Sequence, residues 1–435
     1  MYVQRKPLKF CQDSNWLFMK FQKFPPFVSV LLAVLLASVL FYACSKKQNP
    51  KTFTYTIYTP VLKSKAEVLA AINGNRSEKI QQAGKFFLKG NYIYLNEKER
   101  GIHIINNSNP SNPVQEAFLE IPGNLDVAVK GNTLYADMYG DLLAIDISNP
   151  KSVTLTRRLT NFFIQRTYAN NVSVDSNMVA IAWKQKDTTI VVTDYIYPDC
   201  PNCMFALGNR QNAHATGNGT AGSMAGVVLM DDYLYAITEP HSLGIVDVSQ
   251  PAQPVYKNSI YAGMDLETIY PFNDKLFLGS SIGLFMYDMS EPTNPRALGV
   301  FSHGRACDPV VADGQNAYVT LRAGTQCGGE FNELNVVDVK DLMAPSLVKS
   351  YPLTNPKGLC KDGNLLFVCD ATSGVRLYDA TDPAKLKQLT QLNVPDSYDV
   401  IAGGGHALIV SDGGLYQFDY SDLNHIRQLS VFALK

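Results

Sequence analysis

The chain lacks an excess of either charge. Its 38 Lys and Arg stand against 39 Asp and Glu, a formal net charge of −1 over 435 residues. That balance excludes the basic surface that a general nucleic-acid or polyanion binder needs. Histidine is scarce: six residues, none in HExxH or H-x-H spacing, so no zinc pattern is present. No spacing marks a nucleophile beside its base. Gly217, Gly219 and Gly222 do spell GxGxxG, but no strand precedes them and no helical pattern follows, which excludes a phosphate-cradling turn and leaves a loop. What the chain does have is 46% hydrophobic and 18% charged residues, with 23 Tyr and 21 Phe, the composition of a large β-rich globular core.

One phrase recurs. GIHIINNSNPSNPV begins at Gly101, LLAIDISNPKSV at Leu142, GIVDVSQPAQPV at Gly244 and GLFMYDMSEPTNPR at Gly283. LNVVDVKDLMAP follows at Leu334, GVRLYDATDPAK at Gly374 and GLYQFDYSDL at Gly414, with TTIVVTD at Thr188 as a weaker relative. A hairpin pattern precedes each, as in GKFFLKGNYIYL from Gly84, NNVSVDSNMVAIA from Asn170 and DVIAGGGHALIV from Asp399. GN, DG, DD and ND between the apolar runs are residues that accept the positive φ of a tight turn. A fourth strand follows, such as PVQEAFLEI from Pro113 or PRALGVFS from Pro295. Equivalent turn positions (Asn91, Asn132, Asn177, Asp232, Asp274, Gln315, Asn364, His406) recur every 41 to 55 residues, the size of one four-stranded propeller blade. The expected fold is all-β: a β-propeller of eight four-stranded blades, with seven as the alternative, and a short N-terminal helical tether.

The LxIVD strand followed by S-x-P resembles the LVIVD-repeat family of bacterial β-propellers, over about Ala83 to Lys435. GIHIINNSNPSNP, IPGNLDVAVKGNTLYAD and LLAIDISNP resemble its envelope-lipoprotein members in particular. The resemblance implies the fold and a cell-envelope location; it implies no shared reaction. Asp146, Asp247, Asp288, Asp338, Asp379 and Asp419 each end a third strand, with Asn106 in the first unit and Asp194 in the degenerate one. Read singly, these acids would suggest catalysis or calcium. Their repetition assigns them to the following turn, where a short carboxylate or amide accepts backbone N–H bonds. Pro110, Pro150, Pro251, Pro292 and Pro383 then stop the strand.

Ahead of the repeats, Lys20 and Lys23 precede an apolar run from Phe27 to Ala43 that stops at Cys44. This resembles a bacterial lipoprotein signal peptide, which implies residues 1–43 as the signal and Cys44 as the lipid-modified first residue. Met19 is an alternative start, and an uncleaved signal anchor is the alternative reading of the run. Residues 44–82 form the expected tether. In it TFTYTIY from Thr52 alternates like a strand that could join a blade edge, and Ser64 with Glu67 forms a capping box before a short helix, KAEVLAAI. The propeller is expected over 83–435.

Within a propeller, the first-to-second and third-to-fourth turns share one face, and both are short here. The second-to-third loops and the blade crossings share the other and vary, so binding is expected there. Candidates on that face are Arg100, Arg166, Tyr168, His241, His303, Arg305, Arg322, Asp370 and Tyr398. Two insertions break the repeat: residues 195–222, and RAGTQCGGEFNE from Arg322. In the first, Cys200 and Cys203 lack a second pair for zinc and a βαβ setting for redox exchange, so a local disulfide is expected in an oxidising envelope. Cys307 and Cys327 lie at the same end of one hairpin, which allows a bridge. Cys360 and Cys369 are offset too far across theirs and are expected as buried thiols.

The expected function is a non-enzymatic ligand- or protein-binding scaffold held in the bacterial cell envelope, at the outer membrane, by a lipid on Cys44. Its expected partners are the membrane and a protein or carbohydrate ligand, not nucleic acid; no cofactor or metal is expected. One alternative is a propeller enzyme, a glycan hydrolase or lyase or an oxidoreductase, with its site on the variable face. Another is a structural subunit of an envelope complex.

Overall fold

The structure is a computed structural model in which residues 51–164, 174–192, 220–306, 309–324, 329 and 331–433 are described. Its described residues form a two-stranded ribbon and seven blade sheets, each blade built from four consecutive antiparallel strands, with Thr220–Ala221 adding a fifth strand to blade 1. Blade 1 comprises Ala83–Lys89, Tyr92–Glu97, Gly101–Asn106 and Val114–Glu120; blade 2 comprises Val127–Lys130, Thr133–Met138, Asp141–Asp146 and Thr154–Leu159. Blade 3 runs from Val227 to Tyr261, blade 4 from Leu266 to Ser302, blade 5 from Val310 to Pro352, blade 6 from Leu359 to Leu392 and blade 7 from Ser397 to Ala433. Apolar clusters fill each junction, including Phe86, Ile93 and Leu95 of blade 1 with Ile401, Leu408 and Val410 of blade 7, so the ring closes. Among the described residues the only helix of more than three residues is α1 (Lys65–Ala71), and none is long and apolar enough to cross a membrane.

The turn chemistry read from the repeats is present in every blade. Each first hairpin turn holds a residue at positive φ, among them Gly90, Gly131, Asp231, Asn273 and Gly363. At the end of each third strand, Asn106, Asp146, Asp247, Asp288, Asp338, Asp379 or Asp419 accepts the N–H two residues on, at 2.8 to 3.0 Å. The residue after the acid then donates its own N–H to the first hairpin turn, as in Val248 to Asp232 O and Ile147 to Asn132 O, both 2.8 Å. The strand-ending Asp or Asn and the residue after it thus pin two loops of the same blade. Neighbouring blades are joined at this end by tyrosine hydroxyls on proline carbonyls: Tyr135 to Pro251 at 2.8 Å and Tyr235 to Pro292 at 2.9 Å.

Among the described residues seven blades form, not eight. The degenerate third unit does not fold back on itself: Met178–Val192 is one strand of 15 residues, paired with Lys51–Ser64 in a two-stranded sheet. A blade needs apolar residues on both faces of each strand to fill two junctions. The stretch KQKDTT between Trp183 and Ile190 offers polar residues and no turn former, so the strand runs on. Its partner is the alternating TFTYTIY segment, which therefore joins no blade edge; Thr54 meets Thr189 at 3.1 Å and Thr56 donates to Asp187 at 2.7 Å. Residues 51–57 and 186–192 of this ribbon belong to a compact unit separate from the propeller. Asp194 lies outside the described residues.

The capping box forms as expected: Ser64 Oγ accepts from Glu67 N–H and Glu67 Oε2 from Ser64 N–H, both at 3.2 Å. Helix α1 buries Val68 in the core of blades 1 and 2. Lys65 pairs with Asp141 of blade 2 at 3.2 Å, and Arg76, beyond the helix, pairs with Glu120 of blade 1.

Replacing Asp247 with Ala is expected to cost about 1 kcal/mol in urea unfolding, whereas Asp247→Asn keeps most of the bond, as Asn106 does in blade 1. The hydroxyl of Ser249, then Lys257, hold the Asp247 carboxyl at about 2; Ser421 and Arg427 do the same for Asp419. Their folded values lie below the ordinary 3.8. This stabilisation is therefore complete above that pH and is lost as pH falls toward 2. Unfolding midpoints measured from pH 5 down to about 2 check the sign.

Candidate functional site

The axis of the ring is occupied by the chain itself. Counted back from the hairpin turn, equivalent first-strand positions are held by Lys85 in blade 1, Asp126 in blade 2, Gly226 in blade 3, Gly358 in blade 6 and Asp399 in blade 7. Into this ring runs the segment 220–226. Thr220 and Ala221 pair with Leu88 and Phe87 of blade 1. Ser223 donates to Asp399 of blade 7 through N–H at 3.2 Å and Oγ at 3.3 Å, and accepts the N–H of Leu359 in blade 6 at 2.8 Å. Ala225 O accepts from Ile269 N–H of blade 4 at 3.1 Å, and Gly226 N–H donates to Asp126 of blade 2 at 3.0 Å. A Cβ on Gly222 would overlap the Asp399 carboxylate, so only glycine allows this crossing.

Both axial acids are buried. Asp126 pairs with Lys85 at 3.1 Å. Burial pushes Asp399 up to about 7, against the pull of the Val400 and Ser223 donors and of Lys85. These carboxylates are spent on the backbone of the crossing segment and do not face open space. Among the described residues, no cluster of three or more His, Cys, Asp or Glu is arranged to hold a metal ion.

The variable face of blades 3 to 5 is different. A groove of about 230 Å³ lies between blades 4 and 5, lined by Phe301, His303, Arg305, Leu321, Phe331, Glu333, Asn335, Leu347 and Ser350 among others. Phe331 and Leu347 are exposed at its rim. Arg305 reaches Asp265, in the crossing from blade 3 to blade 4, at 3.5 Å. Next to Asp265, Met264 is exposed, as is Tyr261, whose ring lies 6.0 Å from that of His241. A band of exposed apolar side chains interleaved with His241, His303 and Arg305 therefore follows this sector.

Three expected residues, His241, His303 and Arg305, are thus brought to one sector. The others are dispersed. Arg100 binds the buried Glu97 at 2.6 Å, which also holds the buried His103 at 2.6 Å. Asp370 is fully buried and accepts from Arg376 at 2.7 Å and from the N–H groups of Thr354 and Asn355. Tyr398 donates its hydroxyl to Ala83 O and, at 3.1 Å, to Gly84 O, across the junction of blades 7 and 1. Arg322 is half-buried after the second strand of blade 5. Arg166, Tyr168, Cys44, Cys200, Cys203, Cys307 and Cys327 lie outside the described residues. Cys360 and Cys369 are free thiols; burial pushes Cys360 up to about 12 and Cys369 well above its ordinary value, so neither is poised to react. Sequence reasoning missed Asp126, Ser223, Asp399 and Phe331. The first three left one signal, the run of small residues AGSMAG at 221–226 directly before a first strand.

The architecture is that of a seven-bladed β-propeller. Residues 82–117, 124–160 and 221–261 match the LVIVD repeat, so the chain is a propeller carrying LVIVD repeats, in agreement with the resemblance read from its sequence. No curated protein matches it. Among solved structures it is similar to a protein from Lactobacillus plantarum, at 10% identity and TM-score 0.51, over 81% of this chain and 97% of that one. It is also similar to the designed protein Ika8, at 8% identity and TM-score 0.48, over 83% and 92%. For BamB from Moraxella catarrhalis the identity is 8% and the TM-score 0.47, over 83% and 97%. At 10% identity the likeness to the Lactobacillus plantarum protein speaks for the fold alone.

The folded protein keeps a proton on Asp399 that the unfolded chain releases above 3.8, so ionisation of this group opposes folding. Its contribution is unfavourable in proportion as pH rises from 3.8 to about 7, and is absent below that window. The stability difference between the native protein and Asp399→Asn, followed by urea unfolding across this range, is expected to shift steadily toward the variant as pH rises.

Proposed function

We propose that the protein is a non-enzymatic scaffold, anchored in a bacterial cell envelope through a lipid on Cys44, that holds a protein partner on the variable face of blades 3 to 5. The observation that carries this reading is the groove between blades 4 and 5, with exposed Phe331 and Leu347 on its rim and His303 and Arg305 beside them. Aromatic and aliphatic side chains next to Arg are the surface chemistry of protein interfaces, where a few buried anchors supply most of the affinity. A carbohydrate would want more polar hydrogen-bonding groups along the floor than Asn335, Ser350 and Glu333 supply. The axial carboxylates do not support the enzyme reading, because donors of the crossing segment already occupy them. The anchor reading rests on the apolar run ending at Cys44.

Two measurements test the proposal. Cys44→Ala is expected to move the protein from the membrane fraction to the soluble one; unchanged membrane retention would favour the uncleaved signal anchor. Partners cross-linked in membranes to the native protein are expected to be lost on Phe331→Ala or Leu347→Ala, with affinity falling about tenfold or more per anchor. Partners retained by both variants would remove the groove from the reading.

A further inference from the structure

We propose that Arg322 and Lys357 form an oxyanion-binding site where blades 5 and 6 meet near the axis. Arg322 follows the second strand of blade 5 (Asn316–Leu321), and Lys357 precedes the first strand of blade 6 (Leu359–Asp362). Thr320 Oγ1 donates to the Lys357 carbonyl at 2.6 Å, which holds the two segments side by side. By strand alternation Arg322 lies on the same face as Thr320, toward blade 6. The Lys357 N–H is fixed on Cys369 O at 2.8 Å, and its ammonium lies 5.8 Å from the centre of the Tyr398 ring.

Both cations are half-buried, and among the described residues neither has an acid within ion-pair distance. Several half-buried cations elsewhere have one, Lys65 with Asp141, Lys361 with Asp313 and Arg376 with Asp370 at 2.7 to 3.2 Å, whereas Lys89 and Lys98 stand singly; what sets Arg322 and Lys357 apart is that the two lie on adjoining segments. Burial, then the charge of Arg322, hold the Lys357 ammonium below its ordinary value, with Asp412 and Asp396 acting the other way from further off. Burial does the same to Arg322, opposed by Glu267. Two like charges held together and partly desolvated destabilise the fold unless an anion joins them. A guanidinium fork beside an ammonium is suited to a carboxylate or a phosphate, the fork setting orientation and the ammonium adding charge. This site is independent of the groove between blades 4 and 5 and stands whether or not that groove holds a partner.

The test is calorimetric titration and thermal unfolding of the protein with inorganic phosphate and with galacturonate, using galactose as the neutral control. At least one anion is expected to bind and to raise the melting temperature, and galactose to do neither; which anion acts separates a phosphate from a carboxylate ligand. Arg322→Gln and Lys357→Gln are each expected to weaken the anion about tenfold. Each is also expected to raise the melting temperature of the anion-free protein, because the repulsion is relieved. Arg322→Lys, which keeps charge and fold but loses the fork, is expected to bind with intermediate affinity. The proposal is overturned if neither anion binds, or if binding survives unchanged in Arg322→Lys and in Lys357→Gln.

Discussion

A ring of sheets has to close, and this ring closes without sharing a strand across its seam. Blade 1 starts the circle and blade 7 ends it, each with four consecutive strands, and the strand that blade 1 gains besides these, Thr220–Ala221, comes from the crossing segment and not from blade 7. The apolar packing of Phe86 and Ile93 against Ile401 and Val410 supplies attraction there, but burial of apolar surface has no direction and does not by itself fix the angle between two blades. Direction comes from hydrogen bonds. Tyr398 reaches the first strand of blade 1, Asn107 and Gln417 exchange amide bonds at 2.7 and 3.0 Å, and Ser430 bonds Pro110 O at 2.6 Å. At the centre, the segment 220–226 ties blades 1, 2, 4, 6 and 7 to one another through a few backbone groups and the two buried acids. The seam and this crossing together set the geometry in which the outer loops are displayed.

The two faces of the ring divide the chemistry between them. On the turn face each blade satisfies its own loops with its own acid or, in blade 1, with Asn106, and the proline carbonyls of Pro251, Pro292 and Pro383 serve tyrosines of neighbouring blades. Such a face has few polar groups left over to recognise anything. On the other face the loops differ from blade to blade, and unsatisfied or exposed groups collect there: Tyr261, Met264 and Phe331 in one sector, Arg322 and Lys357 in the next. A rigid frame carrying variable loops is a common way to build a binding surface.

The turns were legible because they are local. An acid at the end of a third strand and a glycine or asparagine in a hairpin act on residues a few positions away, so the repeat displays them seven times over. The blade count was not, because TTIVVTD has the apolar pattern of one strand while the neighbouring KQKDTT denies it a second; whether such a stretch becomes a blade depends on junctions that no local pattern describes. The axial bonds were hidden for a related reason. Ser223 and Asp399 lie 176 residues apart, and nothing in either neighbourhood names the other. Of the site residues, His303 and Arg305 were marked by their place in a variable crossing, whereas Phe331 looked like any other loop residue until the groove placed it on a rim.

The self-contained turns have a consequence for how such a chain changes over generations. Because the acid in each blade bonds within that blade, duplicating or deleting a whole repeat leaves no turn with a missing donor or acceptor. The number of blades is then free to drift by recombination, and what resists the drift is the axis, where Ser223 and Gly226 must still find Asp399 and Asp126 across the gap. A strand that once matched the repeat can be released to pair elsewhere, as Met178–Val192 does with Lys51–Ser64, while the ring it left still closes.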